Sequence, residues 1–211
     1  MKRIANLLLV TAMILTGAAV SAEPVLEPIQ GAAGPVYAFD VVEDAKRFVF
    51  DETPLDPQGL PGYGNEFVSE GYIYPAGTVV CDDEGCNGIL PDGQPEFPEL
   101  VIGRWTCWGT HVGQGATTPT GAWVATTQIY DFGPELGDNT MISNGYELVD
   151  LNKTIKRPLA GGTGQFAAAN GTANQTMVGF NASGGVVLRY EIEPARPRVN
   201  VIERREAVQP W

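Results

Sequence analysis

Short runs of alternating apolar and polar residues, each closed by glycine, proline or asparagine, recur along most of this chain. The sharpest lies near the C-terminal end. There Val186, Leu188, Tyr190 and Ile192 fall on one face, and Arg189, Glu191 and Glu193 on the other with Val187. A period of two puts successive side chains on opposite faces of a strand. Read this way, the pattern predicts strands over 36–42, 66–74, 100–112, 122–132, 141–149, 156–160, 166–181 and 185–193. Residues 46–50 either extend the first strand or turn. In the strand at 66–74, Phe67 and Ile73 share one face, and Val68, Tyr72 and Tyr74 the other. Two long loops interrupt the series. One spans 51–64, dense in proline and glycine. The other, 75–98, carries Cys81-Asp82-Asp83-Glu84-Gly85-Cys86 and is long for a compact domain, so it is expected to be functional or locally packed.

No segment shows a helical period of apolar residues. Evenly spaced short strands with Gly/Pro/Asn turns predict an all-β barrel or sandwich. The strand at 122–132 decides between them. Val124, Gln128, Tyr130 and Phe132 share one face, and Trp123, Ile129 and Asp131 the other. Large apolar groups on both faces suggest a barrel with a filled or ligand-lined lumen and an outer wall covered by another subunit. Residues 199–202 form either an edge strand or part of a charged, proline-containing tail.

The N-terminal pattern is different. Lys2 and Arg3 precede an apolar run from Ile4 to Val20, followed by Ser21 and Ala22. That is the layout of a secretory signal peptide cut after Ala22. The expected organisation is a signal peptide over 1–22, a flexible segment over 23–35, a β-barrel domain over 36–193 and a tail over 194–211. The protein is then secreted or periplasmic, with no membrane anchor. The formal net charge of −12 becomes more negative once Lys2 and Arg3 leave. It argues against nucleic acid and anionic membranes as partners. Three cysteines remain, Cys81, Cys86 and Cys107. Export predicts one disulfide and one spare thiol. All three pairings are open, with preference for a long-range bond to Cys107 that ties the loop at 82–98 to a strand.

Glycine is densest in Gly161-Gly162-Thr163-Gly164-Gln165-Phe166-Ala167-Ala168-Ala169-Asn170-Gly171. A phosphate-binding reading fails, because no Lys-Ser/Thr follows Gly164 and no helix start is in sight. The run reads as a tight turn or bulge between strands. With the alternating strand that ends Leu188-Arg189-Tyr190-Glu191, it resembles the dirigent and allene oxide cyclase-like barrel superfamily, in its exported bacterial branch. Gly161, Gly162, Thr163, Gly164, Phe166, Ala169 and Gly171 match the pattern of that superfamily. The resemblance implies an eight-stranded antiparallel β-barrel with a hydrophobic lumen open at one end. It also implies assembly as a trimer and cofactor-free chemistry on an apolar substrate. The matched glycines inherit a fold role only.

Candidates for chemistry come from the other strands. His111 is the only imidazole and could serve as a general base at a barrel mouth. Its solitude argues against a His-ligated metal. Arg104 could bind a carboxylate or an oxyanion if its face lines the lumen. Glu66, with Glu70 and Glu147, could become a useful acid or base if drawn into an apolar barrel. Tyr130 and Tyr146 could donate to a ligand oxygen. The acidic loop Asp82-Asp83-Glu84 lacks the spacing of a calcium loop. The expected catalytic set is Arg104, His111, Glu66 and Tyr130, with no cofactor and no metal. The expected partner is a small hydrophobic or phenolic molecule that is isomerised, cyclised or coupled. A non-catalytic carrier or assembly module is the alternative. Convergent ionisable groups in the cavity favour the enzyme, and a purely apolar lumen favours the carrier.

Overall fold

Closure of the sheet gives the alternating pattern its two environments. The computed structural model describes residues 26–31, 34–113 and 123–195. The expected signal peptide, the loop at 114–122 and the tail from 196 onward lie outside the described residues. The strands are β1 (Ile29–Gly31), β2 (Gly34–Glu43), β3 (Val49–Phe50), β4 (Glu66–Pro75), β5 (Cys81–Asp82), β6 (Gly85–Cys86), β7 (Gly103–His111), β8 (Val124–Phe132), β9 (Thr140–Glu147), β10 (Thr154–Gly162), β11 (Gly171–Phe180) and β12 (Val186–Pro194). Eight of them run antiparallel in the order β2-β12-β11-β10-β9-β8-β7-β4. β4 then pairs back on β2, from Phe39 opposite Pro75 to Glu43 opposite Gly71, which closes an eight-stranded antiparallel barrel. There is no α-helix among the described residues. The segment expected as a flexible lead-in contributes β1, which pairs with the start of β2.

Closure buries one face of every long strand. β8 alternates strictly, with Val124, Thr126, Gln128, Tyr130 and Phe132 buried. In the middle of the lumen, Phe39 stacks on Tyr190 at 5.1 Å and meets Tyr130 and Phe132 edge-on at 5.2 and 5.3 Å. The barrel centre is therefore packed solid, and any space for a ligand must lie at its ends.

The glycine-rich run is a corner of the wall. A Cβ at Gly162 would collide with the Thr140 carbonyl, and one at Gly164 (φ +51°) with that of Asp138. Only glycine lets β10 turn this close over the start of β9. The turn continues through a short 3-10 segment, Gly164–Phe166, so β11 begins at Gly171 and not at 166.

The long loop after β4 covers part of the outer wall. Val79, Cys86 and Ile89 pack on Val42, Tyr74 and Val187. Buried Asp40 ties the loop down, accepting from Gly77 N at 2.8 Å and from Arg189 Nε at 2.8 Å. Over these strands the cover expected from another subunit is the chain's own loop. The loop also corrects the expected cysteine pairing. Cys81 and Cys86 face each other across the β5–β6 hairpin and form the disulfide, with Cα atoms 4.0 Å apart. Cys107 points into the lumen, on the other side of the wall, and is free and buried. A disulfide fits an oxidising compartment, and no helix among the described residues is long and apolar enough to cross a membrane.

The disulfide sits directly on Gly179 of β11. A Cβ there would collide with Cys86 Sγ and come within 3.4 Å of Cys81 Sγ. Gly179→Ala is expected to destabilise the protein by about 1–3 kcal/mol, the usual cost of overpacking. Denaturant unfolding measures it. An unchanged midpoint would show that the hairpin is free to lift.

Candidate functional site

β2, β7, β9 and β11 end at one rim of the barrel, where β4, β8 and β12 begin. Their inward residues enclose a cavity of about 180 Å³. Phe48, Phe67, Trp105, Trp123 and Phe180 supply aromatic walls, and Met177 and Leu188 lie among the aliphatic ones. Four polar side chains join them: Glu43, Cys107, His111 and Glu147. A void of roughly 150 Å³ accommodates benzene, so this one suits a single ring. A larger groove of about 630 Å³ opens beside the glycine-rich corner, lined by Tyr37, Met141, Leu159, Phe166 and Ile192 among others. It brings together no acid, base or thiol, so the chemistry belongs to the smaller cavity.

Glu43 ends β2 in phase with Phe39 and Val41, so closure turns it inward. Ser69 Oγ donates to its Oε1 at 2.5 Å and Val186 N to its Oε2 at 2.9 Å. Burial pushes its pKa above the ordinary 4.5. The two hydrogen bonds oppose this, and the charges of Glu147 and Asp44 add to it. A carboxyl raised in this way keeps its proton to higher pH than an ordinary glutamate, the direction that suits a general acid.

Glu147 accepts a larger set of hydrogen bonds. Its Oε1 accepts from Thr126 Oγ1 at 2.7 Å, Gln128 Nε2 at 2.7 Å and Cys107 Sγ at 3.4 Å; its Oε2 accepts from Gln175 Nε2 at 3.1 Å. Arg157 Nη1 stands 3.8 Å from Oε1. This arginine is wholly buried. It donates to Ser143 Oγ at 3.0 Å and to the carbonyls of Tyr146 and Thr126 at 3.0 and 3.3 Å. Gln128 extends the network to the barrel centre, its Oε1 accepting from Tyr130 at 2.6 Å and Tyr190 at 2.5 Å. With its lone pairs engaged, Glu147 fixes the cavity floor and its charge. The Cys107 thiol is pushed well up by burial and then by the Glu147 charge, so it stays a thiol and a donor.

His111 is 1% exposed, its ring 5.1 Å from Phe67 and 5.5 Å from Trp123. Burial lowers its pKa, against the backbone contact of Nδ1 with Asn65 O at 3.2 Å. A carbonyl oxygen only accepts, so the neutral ring carries its proton on Nδ1 and its lone pair on Nε2.

Of the candidate acids and bases singled out from sequence, His111 and Glu147 line this cavity. Tyr130 faces the same lumen but lies deeper. Its hydroxyl is engaged by Gln128 and by Ser143 Oγ at 2.8 Å, and burial raises its pKa. The expected lumen position of Arg104 is corrected. β7 turns Trp105 and Cys107 inward, so Arg104 points out, into a groove with Asp44, Tyr72 and Asp131. Glu66 is likewise on the outer face of β4, exposed, next to Val68 and Trp108. Tyr146 is exposed too. Glu43 was the residue missed, and its phase with Phe39 and Val41 was the available signal. Among the described residues no group of three or more His, Cys, Asp or Glu side chains is placed to hold a metal ion.

Fold and site together define a small closed antiparallel barrel with an acid-containing, aromatic-walled cavity at one rim. No family model matches the chain, and no curated protein matches it. Seventeen chains of solved structures do. One, pyocyanin demethylase, aligns with 11% sequence identity and a TM-score of 0.47, over 76% of this chain and 99% of its own. At that level of likeness nothing about chemistry transfers.

Proposed function

We propose that this chain is an exported barrel enzyme of the allene oxide cyclase-like kind, which isomerises or cyclises a small, largely apolar molecule with its own acid and base. The observation that carries the reading is the meeting of a buried carboxyl with a raised pKa, Glu43, and a buried imidazole with a lowered one, His111, in one aromatic-walled cavity. Glu43 gives its proton to one atom of the bound molecule while His111 Nε2 takes one from another. Reversal of the two transfers at a different atom yields an isomer and returns both residues to their starting states. No external reactant is consumed. Confinement in a cavity of single-ring size supplies orientation, and the two proton transfers supply general acid–base catalysis. A carrier would be served by an apolar lumen alone, whereas four polar side chains converge here.

The test begins with mass spectrometry of small molecules that co-purify with the folded protein. The expected result is an apolar compound of about one ring that exchanges carbon-bound hydrogen for deuterium in heavy water with the wild-type protein and not with Glu43→Gln. Protein that is always empty, or exchange unaffected by the substitution, would sink the reading.

A further inference from the structure

Two hydrogen-bond donors in the cavity wall have no acceptor. Trp105 lies on β7 and Trp123 directly precedes β8, and both indoles line the 180 Å³ cavity. In each, the indole N–H is buried without a hydrogen-bond partner. Burying a donor in this state is costly, and folded proteins seldom leave one so. Two on a single cavity wall point to a group that arrives from outside. An indole N–H donates and never accepts, so the arriving group must bring acceptor lone pairs.

Its charge follows from the same wall. Glu43 and Glu147 line the cavity, and no lysine or arginine does. A carboxylate or phosphate would bring its charge into an apolar cavity beside the Glu147 carboxylate, and Arg157, the cation nearest that carboxylate, is not among the lining residues and is engaged with Glu147, Ser143 and backbone carbonyls. The acceptor is therefore an uncharged oxygen. The walls admit an apolar body of about one ring.

Resting on the acid–base reading of this cavity, we propose that its substrate is a small uncharged ring ketone or enone, with hydrogen on a saturated carbon next to the carbonyl, whose oxygen is received by the indole N–H groups of Trp105 and Trp123. These donors stand ready for the charge that develops on the oxygen as His111 removes a proton from the neighbouring carbon. Glu43 then supplies the proton that makes the enol, and the reverse transfers give the isomeric carbonyl compound. Trp105 and Trp123 thus select for the functional group, while the aromatic walls select for size.

The test titrates the full, ¹⁵N-labelled protein with acetophenone and with α-methylstyrene, its isostere bearing a methylene in place of the oxygen. The indole N–H signals are assigned with Trp105→Phe and Trp123→Phe. Acetophenone is expected to bind about tenfold or more tightly, since a site built for an oxygen rejects the analogue lacking it. It should move the Trp105 and Trp123 indole signals and leave that of Trp108, on the outer face of β7, in place. Either substitution should erase most of the preference. The wild-type spectra stand as evidence even where a variant folds poorly. Equal affinity for the two rings, or an acetophenone complex with unmoved indole signals, overturns the carbonyl assignment and leaves the acid–base reading standing. Failure of both rings to enter overturns the assignment as well, and the deuterium exchange experiment then decides separately whether the acid–base reading falls with it.

Discussion

Arg157→Met is expected to destabilise the barrel by about 3–5 kcal/mol, the usual cost of removing one member of a buried ion pair. Arg157 has no exposed surface. Its guanidinium donates to Ser143 Oγ and to three backbone carbonyls, and it stands 3.8 Å from Glu147. Methionine fills much of the same space but leaves the Glu147 carboxylate without its cation. The charge would then rest on hydrogen bonds from Thr126, Gln128, Cys107 and Gln175 alone. Glu147→Gln should also be destabilising, because it strands the arginine. The double substitution should recover a large part of the loss, since an apolar or neutral pair avoids the desolvation cost of both ions. Denaturant unfolding of the four proteins gives the coupling energy. A double variant as unstable as the sum of the singles would mean that each side chain acts through its own hydrogen bonds, not through the pair.

The barrel was legible because closure uses the same information that alternation displays. Alternation puts Val186, Leu188, Tyr190 and Ile192 on one face, and the last three are buried in the lumen. Val187 breaks the pattern for a reason that lies far away in the chain. The loop carrying Val79 and Ile89 folds back over the outer wall and buries it. Nothing in the local sequence announces such cover, and the preference for a Cys107 disulfide failed for the same reason. Spacing cannot show that the barrel wall separates Cys107 from the Cys81–Cys86 hairpin. The site was less legible than the fold. Glu43 at a strand end reads as a solvated cap, and its inward contacts come from Ser69 and Val186, 26 and 143 positions along the chain. Arg104 shares a strand face with Trp108, and only closure decides that this face of β7 is the outer one while Trp105 turns in.

Glu43→Gln should slow proton transfer by about 10²–10⁴-fold, the range for loss of a positioned acid, without loss of the fold. Glutamine keeps the shape, and its amide can meet both Ser69 Oγ and Val186 N. The pH dependence separates the acid role from mere packing. Activity requires Glu43 protonated and His111 neutral. It should therefore fall on the acid side as His111 protonates and on the alkaline side as Glu43 ionises. Ser69→Ala removes a hydrogen bond that lowers the Glu43 pKa, so it should move the alkaline limb upward and leave the acid limb in place. Stability follows with opposite signs for the two groups. Glu43 binds its proton more tightly folded than unfolded. Its contribution is complete below its ordinary value of 4.5 and is lost as pH rises through the folded pKa. His111 has a lowered pKa. Its contribution is complete above 6.5 and is lost as pH falls through its folded value. Glu43→Gln should thus match the wild type in acid and become the more stable protein as pH rises. A series of thermal melts from acid to alkaline pH reads this directly. Parallel curves for the two proteins would mean that Glu43 is not held protonated by the fold, and the acid would then have to be sought elsewhere in the cavity.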